Sequence, residues 1–235
     1  MATTLGTLRT RVRTLLLETT ASFWTDAELL DHLLAGAKDM WGALIDLNAE
    51  HYSTEDATNV SQAASTATLT GIPTDCFRIL HIEPRDITTA GTGRGILYVP
   101  KDYNSLEFTA ARAQGTLSSD AVGVVYYEPR SAGPPVDTMT VRVAPLLSAA
   151  LTLRVKYCPT LSSSLDAASN NPIPGESDNA LVAWCIAYAR AKEREDRSPD
   201  PNWLKIYGTE KDNILTRATP RQSQEPDVVE DLFGG

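Results

Sequence analysis

The chain has 235 residues, 42% of them hydrophobic, and carries a formal net charge of −9. That length allows one large domain or two small ones, each with a proper core. The acidic balance excludes a protein that grips phosphates electrostatically. Cys76, Cys158 and Cys185 form an odd set without metal-ligand spacing, each in an apolar or strand-like run, and they read as reduced core thiols. The N-terminal stretch lacks a signal-peptide apolar core. The longest apolar run, Ala180 to Ala189, falls short of the ~20 residues a bilayer requires. The expectation is a soluble protein, intracellular when made, with no membrane partner.

In chain order, Leu5 to Glu18 predict a first helix. Leu5, Leu8, Val12, Leu15 and Leu16 mark its buried side, and Arg9, Arg11 and Arg13 lie off it. These arginines read as a solvated helix face rather than a nucleic-acid patch, because no aromatic residue is interleaved to stack on bases. The connector Thr19 to Ser22 is short enough to make the next helix an antiparallel neighbour.

The organising stretch is Phe23 to Glu50. Thr25 and Glu28 form a T-x-x-E capping box, with Trp24 and Leu29 placed as a hydrophobic staple. Leu30, Leu33, Leu34, Ala37, Trp41, Leu44 and Ile45 follow at helical spacing, and Asp31, Lys38, Asp39 and Asp46 occupy the other face. A long amphipathic helix with one wide apolar stripe needs something to cover it.

From His51 the helical period stops. Strands are predicted at 67–70, 76–82, 96–99, 122–127, 139–143 and 151–157, with turn signals at Gly71-Ile-Pro73, Gly91 to Gly95 and Gly133-Pro-Pro135. The alternation in 138–143 and 151–157 suits an antiparallel sheet with one wet side. Pro100 to Arg112 reads as a short helix with Asp102 as its cap, or as a strand pairing through Leu106 and Phe108.

Asn170 to Gly175 is a linker that its prolines keep from being helical throughout. Ala180 to Ala189 is apolar nearly all round, as a helix buried between other elements would be, and its natural partner is the stripe of the Thr25 helix. Trp24, Leu33, Trp41, Leu44, Leu181, Trp184 and Tyr188 are thus the expected core of a helix bundle. Asp200 and Pro201 suit the N-cap and first turn of a last helix, in which Gly208 is a weak point costing ~1 kcal/mol relative to Ala. From Thr219 onward the chain is polar with two prolines, an extended or disordered arm when the protein is alone.

No catalytic constellation is present. His32, His51 and His81 are scattered without metal-binding spacing. Gly91-Thr-Gly93-Arg-Gly95 lacks the Lys-Ser/Thr of a phosphate loop and runs into a strand. No G-x-S-x-G elbow occurs. The reading is no enzyme, no catalytic residue, no metal and no cofactor.

The order of parts does resemble a known family. A short Leu/Arg helix precedes Trp24-Thr-Asp-Ala-Glu-Leu-Leu30 and a long helix. A β region follows, ending in Thr140-Val-Arg-Val-Ala-Pro145 and Leu151-Thr-Leu-Arg-Val-Lys-Tyr-Cys-Pro159. Asp166 and Pro172-Ile-Pro174 then lead to the buried helix. Over most of its length this is similar to the long form of the head-to-tail adaptor (connector) proteins of tailed bacteriophages. The resemblance implies an α+β fold, in which N- and C-terminal helices form a bundle and an antiparallel β domain is inserted between them.

The expected parts are an N-terminal helical hairpin (1–50), the β domain (51–160), C-terminal helices completing the bundle (161–217) and an extended arm (218–235). The resemblance further implies a homo-oligomeric ring, twelve-fold as a rule, under the portal protein at the virion neck, assembled in the host cytoplasm. Such a ring joins the capsid to a tail or nozzle (tail-completion) protein and surrounds the exit channel, through which packaged double-stranded DNA passes without specific binding. An acidic lining would let that DNA slide.

The arm is expected to dock on the portal or a neighbour through Asp227, Val228, Val229, Glu230, Asp231, Leu232 and Phe233, because a purely solubilising tail has no use for that apolar set. The alternative is a tail accessory or receptor- or carbohydrate-binding module that works through the β region, with Tyr98, Tyr103, Tyr126 and Tyr127 as its aromatic cluster.

Overall fold

The computed structural model describes residues 3–18, 20–56, 59–85, 95–118, 122–131, 139–161, 165–173, 175–194 and 197–219. It is an α+β fold with helices at both ends of the chain and a β region between them. The described residues fall into two compact units. One holds those of Met1–Asn48 and Leu165–Gly235, the other those of Ala49–Ser164.

The first unit is a helix bundle. Helix α1 (Leu5–Leu15) starts at Thr4, whose hydroxyl accepts from the Thr7 amide. Leu5, Leu8 and Val12 are buried, but Leu15, expected on the same side, is 40% exposed, and Arg13, expected in solvent, is buried. Thr4 also bridges to Asn170, which ties the start of the chain to the approach to the C-terminal helices.

Helix α2 (Asp26–Asn48) carries the expected capping box. The Thr25 amide donates to Glu28 Oε2 at 2.8 Å, and the Glu28 amide donates to Thr25 Oγ1 at 3.2 Å. Its covered face includes Gly36 and Met40 besides the expected leucines, whereas Leu30, Leu34 and Trp41 are only half-buried. Helix α4 (Asp178–Ala191) is buried on almost every side, as its all-round apolarity requires. Helix α5 (Pro201–Ala218) has Pro201 in its first turn and Asp200 as N-cap, whose carboxylate accepts from the Asn202 amide.

The second unit contains two sheets. In the larger, β8 (Leu151–Pro159) is the hub, pairing antiparallel with β1 (Thr54–Asp56), β2 (Ser61–Gln62) and β4 (Cys76–Pro84), while β3 (Leu69–Thr70) pairs β2. The chain leaves the β2–β3 hairpin just after β3, at Gly71, whose φ of +75° is open to glycine, and where a Cβ would lie 2.0 Å from the Asn59 carbonyl oxygen.

The smaller sheet runs β5–β6–β7: Ile96–Pro100, Gly123–Ser131 and Met139–Ala144. The pair β5–β6 is parallel, which departs from the wholly antiparallel expectation. Its crossover holds helix α3 (Leu106–Ala113). Ser105, not Asp102, caps that helix, accepting from the Phe108 amide at 3.2 Å. Val125, Tyr127, Val141 and Val143 of the small sheet share one core with Ile82, Leu153 and Val155 of the large one. On the other face of the small sheet, Phe108 and Ala111 of α3 cover Ala144.

Candidate functional site

The contact between α2 and α4 is set by one missing side chain. At Gly36 a Cβ would lie 2.8 Å from two ring atoms of Trp184, so the indole sits directly on the α2 backbone. Trp184 also stacks on Tyr188 at 4.6 Å and meets Tyr207 of α5 edge-on at 4.8 Å. At the other end of the seam the Trp24 indole N–H donates to the Ala189 carbonyl at 2.8 Å. Leu33, Leu44 and Leu181 are fully buried, Trp24 nearly so, and Trp41, Trp184 and Tyr188 are half-buried.

Cys185 lies against the Leu29 carbonyl, and burial pushes its thiol up to about 12. His32 sits 6.1 Å from Tyr188, and burial lowers its pKa. Both are packing groups. Cys76 and Cys158 are likewise buried, unpaired thiols with raised pKa values.

The corner between α1 and α2 combines charge and apolar surface. Arg13 reaches across it, its guanidinium donating to the Trp24 carbonyl at 2.9 Å and to Asp26 Oδ1 at 2.6 Å. Arg9 meets the same carboxylate at 3.2 Å. Glu18 clasps the other side, accepting from the Ser22 hydroxyl and from the amides of Ser22, Phe23 and Trp24. Led by the Ser22 hydroxyl, those donors hold its carboxyl down at about 2.

Between these anchors Leu17 is 92% exposed and sits at φ +58°, a left-handed conformation that costs a branched side chain about 1 kcal/mol or more. Leu15 and Phe23 are 40% and 46% exposed at the same corner. The Lys192 ammonium lies 5.0 Å from the Phe23 ring centroid and binds Glu28 at 2.9 Å. The signal for this corner was weak in the sequence. Arg13 stands one residue past Val12, and its partner Asp26 lies beyond a turn.

On the outer side of α2, Asp39 receives Lys211 at 2.6 Å and the Tyr207 hydroxyl. Burial works to raise that carboxyl, but the two hydrogen bonds outweigh it and its pKa falls below the ordinary value. These pairs fasten α5 to α2.

Of the four tyrosines proposed as an exposed aromatic cluster, Tyr98 and Tyr127 lie in the core of the second unit, and Tyr98 donates to Gln62 Oε1 at 2.7 Å. Tyr103 and Tyr126 are half-buried beside α3. Asp227, Val228, Val229, Glu230, Asp231, Leu232 and Phe233 lie outside the described residues, as do 86–94, which hold most of the glycine-rich loop. Among the described residues no group of acidic, histidine and cysteine side chains could hold a metal, and no helix is long and apolar enough to cross a membrane.

A family model described as SU10 adaptor protein matches residues 3–229. No curated protein matches the chain.

Proposed function

The chain belongs to the SU10 adaptor protein family, a family of phage structural adaptors, and on that premise we propose that it is no enzyme and forms a ring, of about twelve copies by the family resemblance, beneath the portal of a tailed phage. In this reading the ring links the capsid to the tail-completion protein in the virion neck. Packaged double-stranded DNA passes through it without specific binding. The net charge of −9 supports such a passage, because a basic lining would hold phosphates.

The observation that carries the reading is the α1–α2 corner. Leu15, Leu17 and Phe23 are exposed there, and Leu17 is held in a left-handed conformation by a turn that Arg13 and Glu18 fasten from both sides. A strained, solvated leucine on a rigid mount suits an interface that another protein completes. The C-terminal arm supplies the second attachment, to the portal or to a neighbouring copy, with Leu232 and Phe233 as anchors and its acids meeting basic residues. The burial of Tyr98 and Tyr127 removes support from a carbohydrate-binding reading.

The test mixes the purified chain with purified portal and examines the product by negative-stain microscopy. A closed ring on one face of the portal is expected. Leu17→Asp, which removes the apolar knob from an exposed position, should retain the wild-type melting temperature and lose the ring. Bare portals in the wild-type mixture would refute the reading.

A further inference from the structure

The second unit carries a cleft lined by its own residues. It is a cavity of about 310 Å³ beside α3, lined by Tyr103, Phe108, Arg112, Arg142, Ala144 and Leu146. Roughly 300–1,000 Å³ is the range of sites that take a small ligand, so this one has room for one or two side chains rather than a folded partner.

Two guanidiniums share its aromatic wall. The Arg112 and Arg142 carbons lie 4.6 and 4.7 Å from the centroid of the same Tyr103 ring. That ring therefore holds two positive charges no more than roughly 10 Å apart, about one Debye length at 0.1 M salt. Among the described residues neither arginine has a carboxylate within 4 Å, although Arg142 stands directly across the β6–β7 pair from Glu128. A guanidinium stacked on a ring keeps its N–H edge free, and that edge accepts a carboxylate in bidentate geometry. The cleft thus combines an apolar floor with two cations at its wall, which is the complement of an acidic segment bearing an aromatic or aliphatic anchor.

The chain holds one such segment outside the described structure. Residues 220–235 contain Asp227-Val-Val-Glu-Asp-Leu-Phe233, in which acids alternate with apolar side chains and the one basic residue of the stretch, Arg221, lies upstream. At ~3.3 Å per residue these residues reach up to roughly 50 Å from the end of α5. We infer that the Arg112–Tyr103–Arg142 cleft receives the Asp227–Phe233 segment of a second copy, with Phe233 or Leu232 on the apolar floor and Glu230 or Asp231 against the guanidiniums. The inference rests on the adaptor reading only in supposing that copies of the chain meet. One such contact is weak, because the segment must be ordered to bind, and a ring multiplies it.

The probe is a fluorescein-labelled peptide of residues 222–235, titrated with the full-length chain and read by fluorescence anisotropy, with no portal present. Saturable binding is expected. It should weaken at least tenfold with Arg142→Gln or Arg112→Gln, and also when the peptide carries Glu230→Gln and Asp231→Asn or Phe233→Ala. Arg112 is exposed on α3, so its variant should melt as wild type and serves if Arg142→Gln disturbs the sheet. Equal binding by wild-type chain and both arginine variants, or equal binding of a scrambled peptide, overturns the inference.

A photo-crosslinker at position 233 of the full chain should give dimers that grow with concentration. Crosslinks confined to monomers would overturn the assignment to a second copy. Because the portal is absent, loss of portal rings and loss of peptide binding are separate results and bear on separate conclusions.

Discussion

The helical unit and the β unit differ in how their charged side chains are matched. In the first, Trp184 fills the notch at Gly36, and Asp39, Lys211 and Tyr207 form one cluster. Its apolar exposure at the start is concentrated at the single corner that holds Leu17. In the second, two sheets share a core, yet among the described residues Arg112 and Arg142 lie on Tyr103 without a carboxylate, and one Glu128 oxygen is buried without a hydrogen-bond partner. Buried polar groups left unpaired are costly, and among the described residues both units hold some: Arg13 Nη1 and Trp184 Nε1 in the first, Gln62 Nε2 and Arg154 Nε as well as that Glu128 oxygen in the second. The bundle pairs charges between its helices, as Arg13 with Asp26 and Lys211 with Asp39, whereas the β unit keeps two arginines on one ring without a carboxylate among the described residues.

The largest effect expected to separate the units comes from the bundle core. Leu181 is fully buried, and Leu181→Ala should cost about 2–5 kcal/mol. All four tryptophans, Trp24, Trp41, Trp184 and Trp203, belong to the helical unit, so their fluorescence follows that unit selectively. The tryptophan transition should move to lower temperature, while the near-ultraviolet signal of the β-unit tyrosines moves less. If both shift equally, the chain unfolds as one block and the comparison fails.

Tyr98→Phe is the matching change in the β unit. It deletes a buried hydroxyl and strands Gln62 Oε1, at a cost of about 1–2 kcal/mol. Here the tryptophan transition should stay in place while the β-sheet circular dichroism melts earlier. A shift in tryptophan fluorescence of equal size would show that the units are coupled.

Two glycines in the same bundle should respond with opposite signs. Gly36→Ala drives a methyl into the Trp184 ring and should destabilise by about 1–3 kcal/mol. Gly208, within α5, faces open space where a Cβ would lie, so Gly208→Ala should stabilise by about 0.5–1 kcal/mol. Thermal melts of the two variants beside wild type give the test, and stabilisation by Gly36→Ala would contradict the seam as described.

What the sequence made legible was local. The capping box at Thr25, the Asp200–Pro201 start and the all-round apolar helix are each encoded within a few residues. What it hid depends on partners far along the chain. Arg13 is buried because Asp26 and the Trp24 carbonyl meet it across a turn, and Gly36 matters because of Trp184. Strands β1 and β2 are too short to show a period. The parallel pairing of β5 and β6 follows from where α3 crosses over, which alternation in either strand does not record. The arginine cleft had only Tyr103 as a signal, since Arg112 and Arg142 are 30 positions apart and the fold brings them to one ring.

The smallest expected effect concerns the corner that carries Leu17. Glu18 accepts from the Ser22 hydroxyl and from the Ser22, Phe23 and Trp24 amides, and only its ionised form can accept from all of them at once. Its carboxyl is held at about 2 against an ordinary 4.5. A depressed carboxylate pKa means that the unfolded corner binds the proton more readily than the folded one. The stabilising contribution is therefore complete above pH ~4.5 and is lost as the pH falls toward 2. The Glu18 side chain is only 11% exposed and also lies 3.7 Å from the Arg13 guanidinium, so its protonation acts on this turn first, and the corner should loosen locally before the bundle melts. Amide chemical shifts of Ser22, Phe23 and Trp24 should titrate together with an apparent midpoint well below 4, and Glu18→Gln should abolish that titration. Because the same turn holds Leu17 in its left-handed conformation, portal binding should weaken over the same acidic window in wild type. In Glu18→Gln it should already be weak at neutral pH. Amides that titrate near 4.5, the ordinary carboxyl value, would show that Glu18 does not clasp the turn.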